Sequence, residues 1–107
     1  MRDLRKKQKR RNETMLFRLG RTVITKSISD VIEATPRFLD EINFALARYV
    51  NGDWGELPEG DANSNDFAIK SSQPERVFAT YDTTQGKIWI ITEWDRSYTT
   101  ILFPSDY

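Results

Sequence analysis

The amino-acid sequence predicts an α+β fold: an antiparallel sheet of three or four strands packed against two helices, preceded by a disordered basic N-terminal arm. Three observations carry the prediction. The C-terminal third holds β-rich runs separated by short polar or glycine-containing turns, which reads as a meander. Phe38, Ile42, Ala45, Leu46 and Tyr49 recur at spacings of three and four, which is the signature of one amphipathic helix. At 107 residues the chain has the length of one domain with a single modest core.

Residues 1–13 contain seven Lys/Arg and almost no apolar periodicity, too little apolar surface to offset the entropy of ordering. Residues 1–14 are therefore read as a basic arm, or as an extension ahead of a start at Met15, and residues 15–107 as the single α+β domain. Leu16 to Thr25 reads as a strand broken at Gly20, because Thr22, Val23, Ile24 and Thr25 are all β-branched. Ser27 with Asp30 then signals a helix N-terminus, and Ile28, Val31 and Ile32 form its apolar face. Thr35-Pro36 reads as the cap and first position of the second helix, with Asp40 and Glu41 near its positive end and Asn51-Gly52 closing it.

From Gly52 to Asp66 the composition turns to Gly, Pro, Asn, Ser and acid, so a loop is expected, with a short helical turn over Ala62 to Ile69 capped by Asp61. Val77 to Tyr81, Ile88 to Glu93 and Thr99 to Phe103 read as strands, with Asp82-Thr83-Thr84-Gln85-Gly86 as the first turn. Ile88, Ile90 and Thr92 fall on one face of the middle strand and Trp89, Ile91 and Glu93 on the other. Apolar residues on both faces mark a central strand and put Trp89 in the core.

Composition excludes several functions. With no cysteine and no histidine, the chain lacks a thiol nucleophile, a thiolate metal site, the commonest general base and the commonest transition-metal ligand. No calcium loop, phosphate loop or nucleophile elbow is present, so neither a cofactor nor a catalytic residue is expected. The formal charge of zero hides a polarised chain: residues 1–26 carry a net +8 and residues 27–107 a net −8. Two kinds of electrostatic partner follow. Arg5, Lys6, Lys7, Lys9, Arg10 and Arg11 are candidate nucleic-acid contacts, whereas Asp53, Glu56, Glu59 and Asp61 form an acidic stretch suited to a basic protein. Trp54, between Asp53 and Gly55, either folds back to pin that stretch or stands out as a partner anchor. Glu93, Trp94 and Asp95 in the last turn extend the candidate surface, with Trp94 expected to be exposed.

Taken together, Gly52-Asp53-Trp54-Gly55, Asp61, Asn65, Lys87-Ile88-Trp89-Ile90-Ile91-Thr92-Glu93, Asp95-Arg96-Ser97, Thr99-Thr100 and Pro104-Ser105-Asp106-Tyr107 resemble a group of small plasmid-related proteins of bacterial mobile elements. The resemblance runs from about Met15 to Tyr107 and departs at Gly60 and at Trp94, where the group carries a small residue. It implies a bacterial cytoplasmic accessory protein, such as an anti-CRISPR inhibitor of a host defence nuclease. An acidic surface of this kind can occupy the basic channel that an RNA-guided nuclease uses for nucleic acid.

Overall fold

A computed structural model describes residues 15–70 and 75–107. The order is β1 (Arg21–Ile24), α1 (Lys26–Ala34), α2 (Phe38–Val50), α3 (Glu59–Lys70), β2 (Val77–Thr83), β3 (Gly86–Thr92), β4 (Tyr98–Leu102) and a 3-10 turn at Pro104–Asp106. The α+β class holds. The basic arm, with Arg5, Lys6, Lys7, Lys9, Arg10 and Arg11, lies outside the described residues.

Two parts of the expected architecture are corrected. The sheet is mixed, not antiparallel: its order is β1-β4-β3-β2, and β1 pairs parallel to β4 with Thr22 opposite Thr99. The other pairs are antiparallel, and β2 and β3 form a hairpin with Ala79 opposite Ile90. The acidic stretch also contains a full third helix where only a turn was expected. Its glycine, asparagines and serine are poor helix formers, and only Asn65 and Ala68 are buried, so no apolar stripe announces it.

Helix starts also move. The cap of α1 is Thr25, whose hydroxyl accepts from the Ile28 N–H at 3.4 Å, because the Ser27 hydroxyl turns instead to the Asp106 carboxylate at 2.7 Å. Thr35, Pro36 and Arg37 form a tight turn leading into α2, with the Phe38 N–H donating to the Thr35 carbonyl at 2.9 Å.

One face of the sheet carries the core. Val77, Ala79, Tyr81, Ile88, Ile90 and Ile101 pack against Ile28, Phe38, Ile42, Ala45 and Tyr49 from the helices. Trp89, expected in this core, alternates onto the opposite face and is half-buried there. Its neighbours Ile88 and Ile90 take the helix side, and a period of two cannot place all three on one face.

A chain of hydroxyls crosses this core. Tyr49 Oη lies 2.7 Å from Thr92 Oγ1, Thr92 Oγ1 lies 2.7 Å from Thr99 Oγ1, and Thr99 donates to the Leu19 carbonyl at 2.6 Å. The carbonyls at the two ends only accept: Thr99 donates to Leu19 and Tyr49 donates to Val77 at 3.0 Å, which leaves the single Thr92 hydrogen to serve its contacts with Tyr49 and Thr99. The chain ties α2, β3 and β4 to the strap that leads into β1. By contrast, the buried Thr80 Oγ1 lacks a hydrogen-bond partner among the described residues.

Removing one link strands the others without solvent. Thr99→Val should therefore cost about 1–3 kcal/mol, read as a lower urea midpoint. Thr80→Val, which deletes an unpaired hydroxyl and keeps the shape, should be neutral or stabilising. Equal losses in the two variants would contradict the assigned network.

Candidate functional site

The residues flagged in the sequence fall into two separate groups. Asp53 and Glu56 lie on the loop beside β2, where the Glu56 N–H donates to the Thr80 carbonyl at 2.8 Å. Glu59 and Asp61 occupy the first turn of α3, where the helix dipole favours negative charge. Glu93, Trp94 and Asp95 sit by the other end of α3, because Arg96 in the same turn donates to the Ala68 carbonyl at 3.4 Å. A helix of 12 residues separates the groups, roughly 18 Å of rise.

Trp54 leaves the candidate contact surface. It is 5% exposed, sits edge-on to Tyr49 with centroids 5.7 Å apart, and donates from Nε1 to Asp66 Oδ1 at 3.1 Å. The loop reaches this position because Gly55 takes φ +72, and a Cβ there would strike the Thr80 carbonyl. Asn65 completes the seal: its amide donates to the Phe78 carbonyl and accepts from the Phe78 N–H at 3.1 Å. Its place among the resembling motif residues was the only signal of this role.

In the last turn, Trp94 is 59% exposed as expected. Glu93 meets Arg76 at 3.5 Å, and Asp95 accepts from the Ser97 N–H at 3.0 Å; the Ser97 side chain and then its N–H hold the Asp95 carboxyl below the ordinary range. Arg96 pairs with neither carboxylate. It adopts φ 59 and donates to the carbonyls of Glu75 at 2.6 Å and Glu93 at 3.1 Å. Arg96 is a backbone clamp.

A further set of acids, from distant segments, borders one cleft. Asp40 and Glu41 on α2 border a cleft of about 290 Å³ that is also lined by Phe44, Arg48, Tyr81 and Asp82, the Asp82 carboxylate itself pairing with Lys87 at 2.9 Å. Arg48 Nε donates to Asp53 Oδ2 at 2.7 Å and Nη2 to Oδ1 at 3.2 Å, which ties Asp53 to a residue of the cleft wall. This pairing, with the Gly55 N–H, holds the Asp53 carboxyl below its ordinary range. Glu41 accepts from Thr84 Oγ1 at 2.5 Å and the Thr84 N–H at 2.9 Å, which lowers its pKa and ties the hairpin to α2. Phe44 stands 68% exposed.

Sequence reasoning assigned Asp40 and Glu41 to the helix dipole and Asp82 to a turn. The missed signal was Phe44, a large aromatic off the buried stripe of α2.

Among the described residues no three acidic groups converge as a metal ion requires, and no helix is long and apolar enough to cross a membrane. No protein-family model, curated protein or solved structure matches this chain.

Trp54 and Trp94 should behave oppositely. Trp54→Ala should cost about 3–5 kcal/mol, as core aromatic truncations do, and Trp94→Ala about 0.5 kcal/mol or less. Urea unfolding measures both, and comparable losses would refute the assignment.

A pH dependence follows from the tethered carboxyls. Asp106 is also held low, by Ser27, the Phe103 N–H and Thr25. A carboxyl with a depressed folded pKa stabilises the protein above its unfolded value, and that contribution is lost as pH falls through the folded value. Stability should therefore decline below about pH 4. Asp106→Asn should lower stability at pH 7 and flatten the acid decline. An unchanged acid profile would show that this tether contributes nothing.

Proposed function

We propose that this protein is a non-enzymatic accessory of a bacterial mobile element that inhibits a host defence nuclease, presenting the acidic cleft beside β2 to a basic surface of that enzyme. The observation that carries the reading is Phe44, 68% exposed, in a cleft with Asp40, Glu41 and Asp82. An exposed aromatic beside the carboxylates of Asp40 and Glu41 combines an apolar anchor with electrostatic steering. Residues 15–70 and 75–107 hold fourteen Asp/Glu against nine Lys/Arg, a net of −5, so the body attracts a basic partner at long range.

The chemistry available is binding. Glu41 and Asp53 are held below the ordinary carboxyl range, so both are ionised at neutral pH and neither is tuned to exchange a proton there. Glu56, Glu59 and Asp61 continue the acidic strip from the loop onto α3, and Glu93, Trp94 and Asp95 form a second, separate contact. The mobile-element setting and the choice of a defence nuclease, anti-CRISPR-like, rest on the motif resemblance. The alternative, nucleic-acid binding through the basic arm, rests on residues 1–14.

The test is inhibition of DNA cleavage by purified RNA-guided and restriction nucleases. Phe44→Ala should weaken inhibition of the susceptible enzyme by about 30-fold or more, as a hot-spot truncation does. The combined Asp40→Asn, Glu56→Gln and Asp82→Asn variant should fold normally, weaken inhibition at low salt and flatten its salt dependence. Wild-type potency in both variants would overturn the reading.

A further inference from the structure

The sheet face opposite the helices is apolar and aromatic. Lys87, Trp89 and Ile91 alternate onto it along β3, with Phe78 opposite Ile91 and Leu102 opposite Trp89. Phe78 and Trp89 meet edge to face at 5.3 Å, and Trp89 meets Tyr107 in the same way at 5.6 Å. With Arg76 and Ile91 these rings line a cleft of about 330 Å³. Tyr98, on the same face of β4, is 43% exposed, and Tyr107 is 74% exposed. The core on the helix side forms without these rings; on this face Ile91 and Leu102 are 6% and 5% exposed, while the rings themselves keep part of their surface open.

We propose that this face binds single-stranded nucleic acid, with bases stacked on Trp89, Phe78 and Tyr107 and phosphates held by Arg76, Lys87 and Arg21. Aromatic side chains on an open sheet face offer the flat apolar surfaces that unstacked bases need, and cations around them follow the backbone.

The cations are placed for that role. Arg76 borders the aromatic cleft and donates to Tyr107 Oη at 3.5 Å. Lys87 shares the face of Trp89, and Arg21 is in register with Tyr98 on the far edge strand. Their present partners are loosely held. The Arg76 side chain is 49% exposed in its 3.5 Å contact with Glu93, and the Lys87 side chain is 46% exposed in its pair with Asp82. Exposed pairs of this kind contribute little, so a phosphate displaces the carboxylate readily.

The spread of charge favours a strand over a mononucleotide. Arg76 precedes β2 and Arg21 lies on β1, at opposite edges of the sheet, roughly 14 Å apart across three strand spacings. One mononucleotide phosphate cannot reach both. A duplex keeps its base faces stacked on each other and offers the rings nothing. The inference goes beyond the acidic-cleft reading and uses none of its residues except through the Lys87–Asp82 pair.

The test is fluorescence anisotropy of labelled dT15 with the full-length protein at several salt concentrations. Trp89→Leu should weaken binding by about five- to a hundredfold, and Tyr107→Ala should weaken it in the same direction. Arg76→Gln should flatten the log–log salt slope by about 0.7, the value of one phosphate contact on a single strand. If Trp89→Leu fails to fold by circular dichroism, the exposed-position variants Tyr107→Ala and Arg76→Gln decide the matter. Four results would overturn the proposal: no binding at low salt, equal affinity for the dT15·dA15 duplex, competition by thymidine monophosphate at comparable concentration, or loss of binding only when Arg5, Lys6, Lys7, Lys9, Arg10 and Arg11 are all changed to Gln. The last result would assign binding to the arm alone. Since Phe44→Ala does not touch this face, its effect on nuclease inhibition separates failure here from failure of the cleft.

Discussion

The outer edge of β2 is closed by one side chain and one loop where another sheet would place a strand, and the candidate surface depends on that closure. Asn65 offers Phe78 both a donor and an acceptor, imitating a neighbouring backbone. Two residues along, the Trp54 carbonyl accepts from the Thr80 N–H at 3.4 Å and the Glu56 N–H donates to the Thr80 carbonyl. An unpaired edge invites pairing with another chain, so the seal protects the sheet. It also fixes Asp53 and Glu56 in space and lays α3 along the edge.

The opposite side of the sheet is organised by the return of the chain to β4. Gly20, at φ +65, passes so close to Arg96 and Ser97 that a Cβ would collide with their carbonyls. The Arg21 N–H then donates to the Ser97 carbonyl at 3.0 Å and starts the parallel pair. Leu19 just before it receives the end of the buried hydroxyl chain. The glycine break, the hydroxyl chain and the Arg96 clamp thus converge where β1 enters. The motif residues that mark the resemblance are largely architectural: Gly55, Trp54 and Asn65 seal one edge, while Arg96 and Thr99 hold the other. The surfaces proposed for partners lie beside this frame, at Phe44 and across the sheet face opposite the helices.

Local pattern made part of this legible. The β2–β3–β4 meander joins neighbouring segments, so alternation and turn residues reveal it, and α2 declares itself through its buried stripe. The parallel pairing of β1 was not legible, because its partner lies more than 70 residues away and no periodicity encodes register across such a gap. Helix α3 was hidden because tertiary hydrogen bonds from Asn65, Asp66 and Arg96 support it in place of an apolar stripe. The same distance hid the acidic cleft. The exposure of Trp94 was legible from sequence, but Asp40, Glu41 and Asp82 come to border one cleft only when Glu41 ties α2 to the hairpin at Thr84.

A rigid, sealed edge is what turns a loop of acidic residues into a surface with fixed geometry. Amide hydrogen exchange of the free protein tests that claim most directly. If the edge is closed as described, the Phe78 and Glu56 N–H groups exchange as slowly as amides of the central strand β3, near the rate set by global unfolding. If instead they exchange at rates typical of an open edge strand while β3 stays protected, the seal is absent, and the account of how the acidic surface is held is wrong.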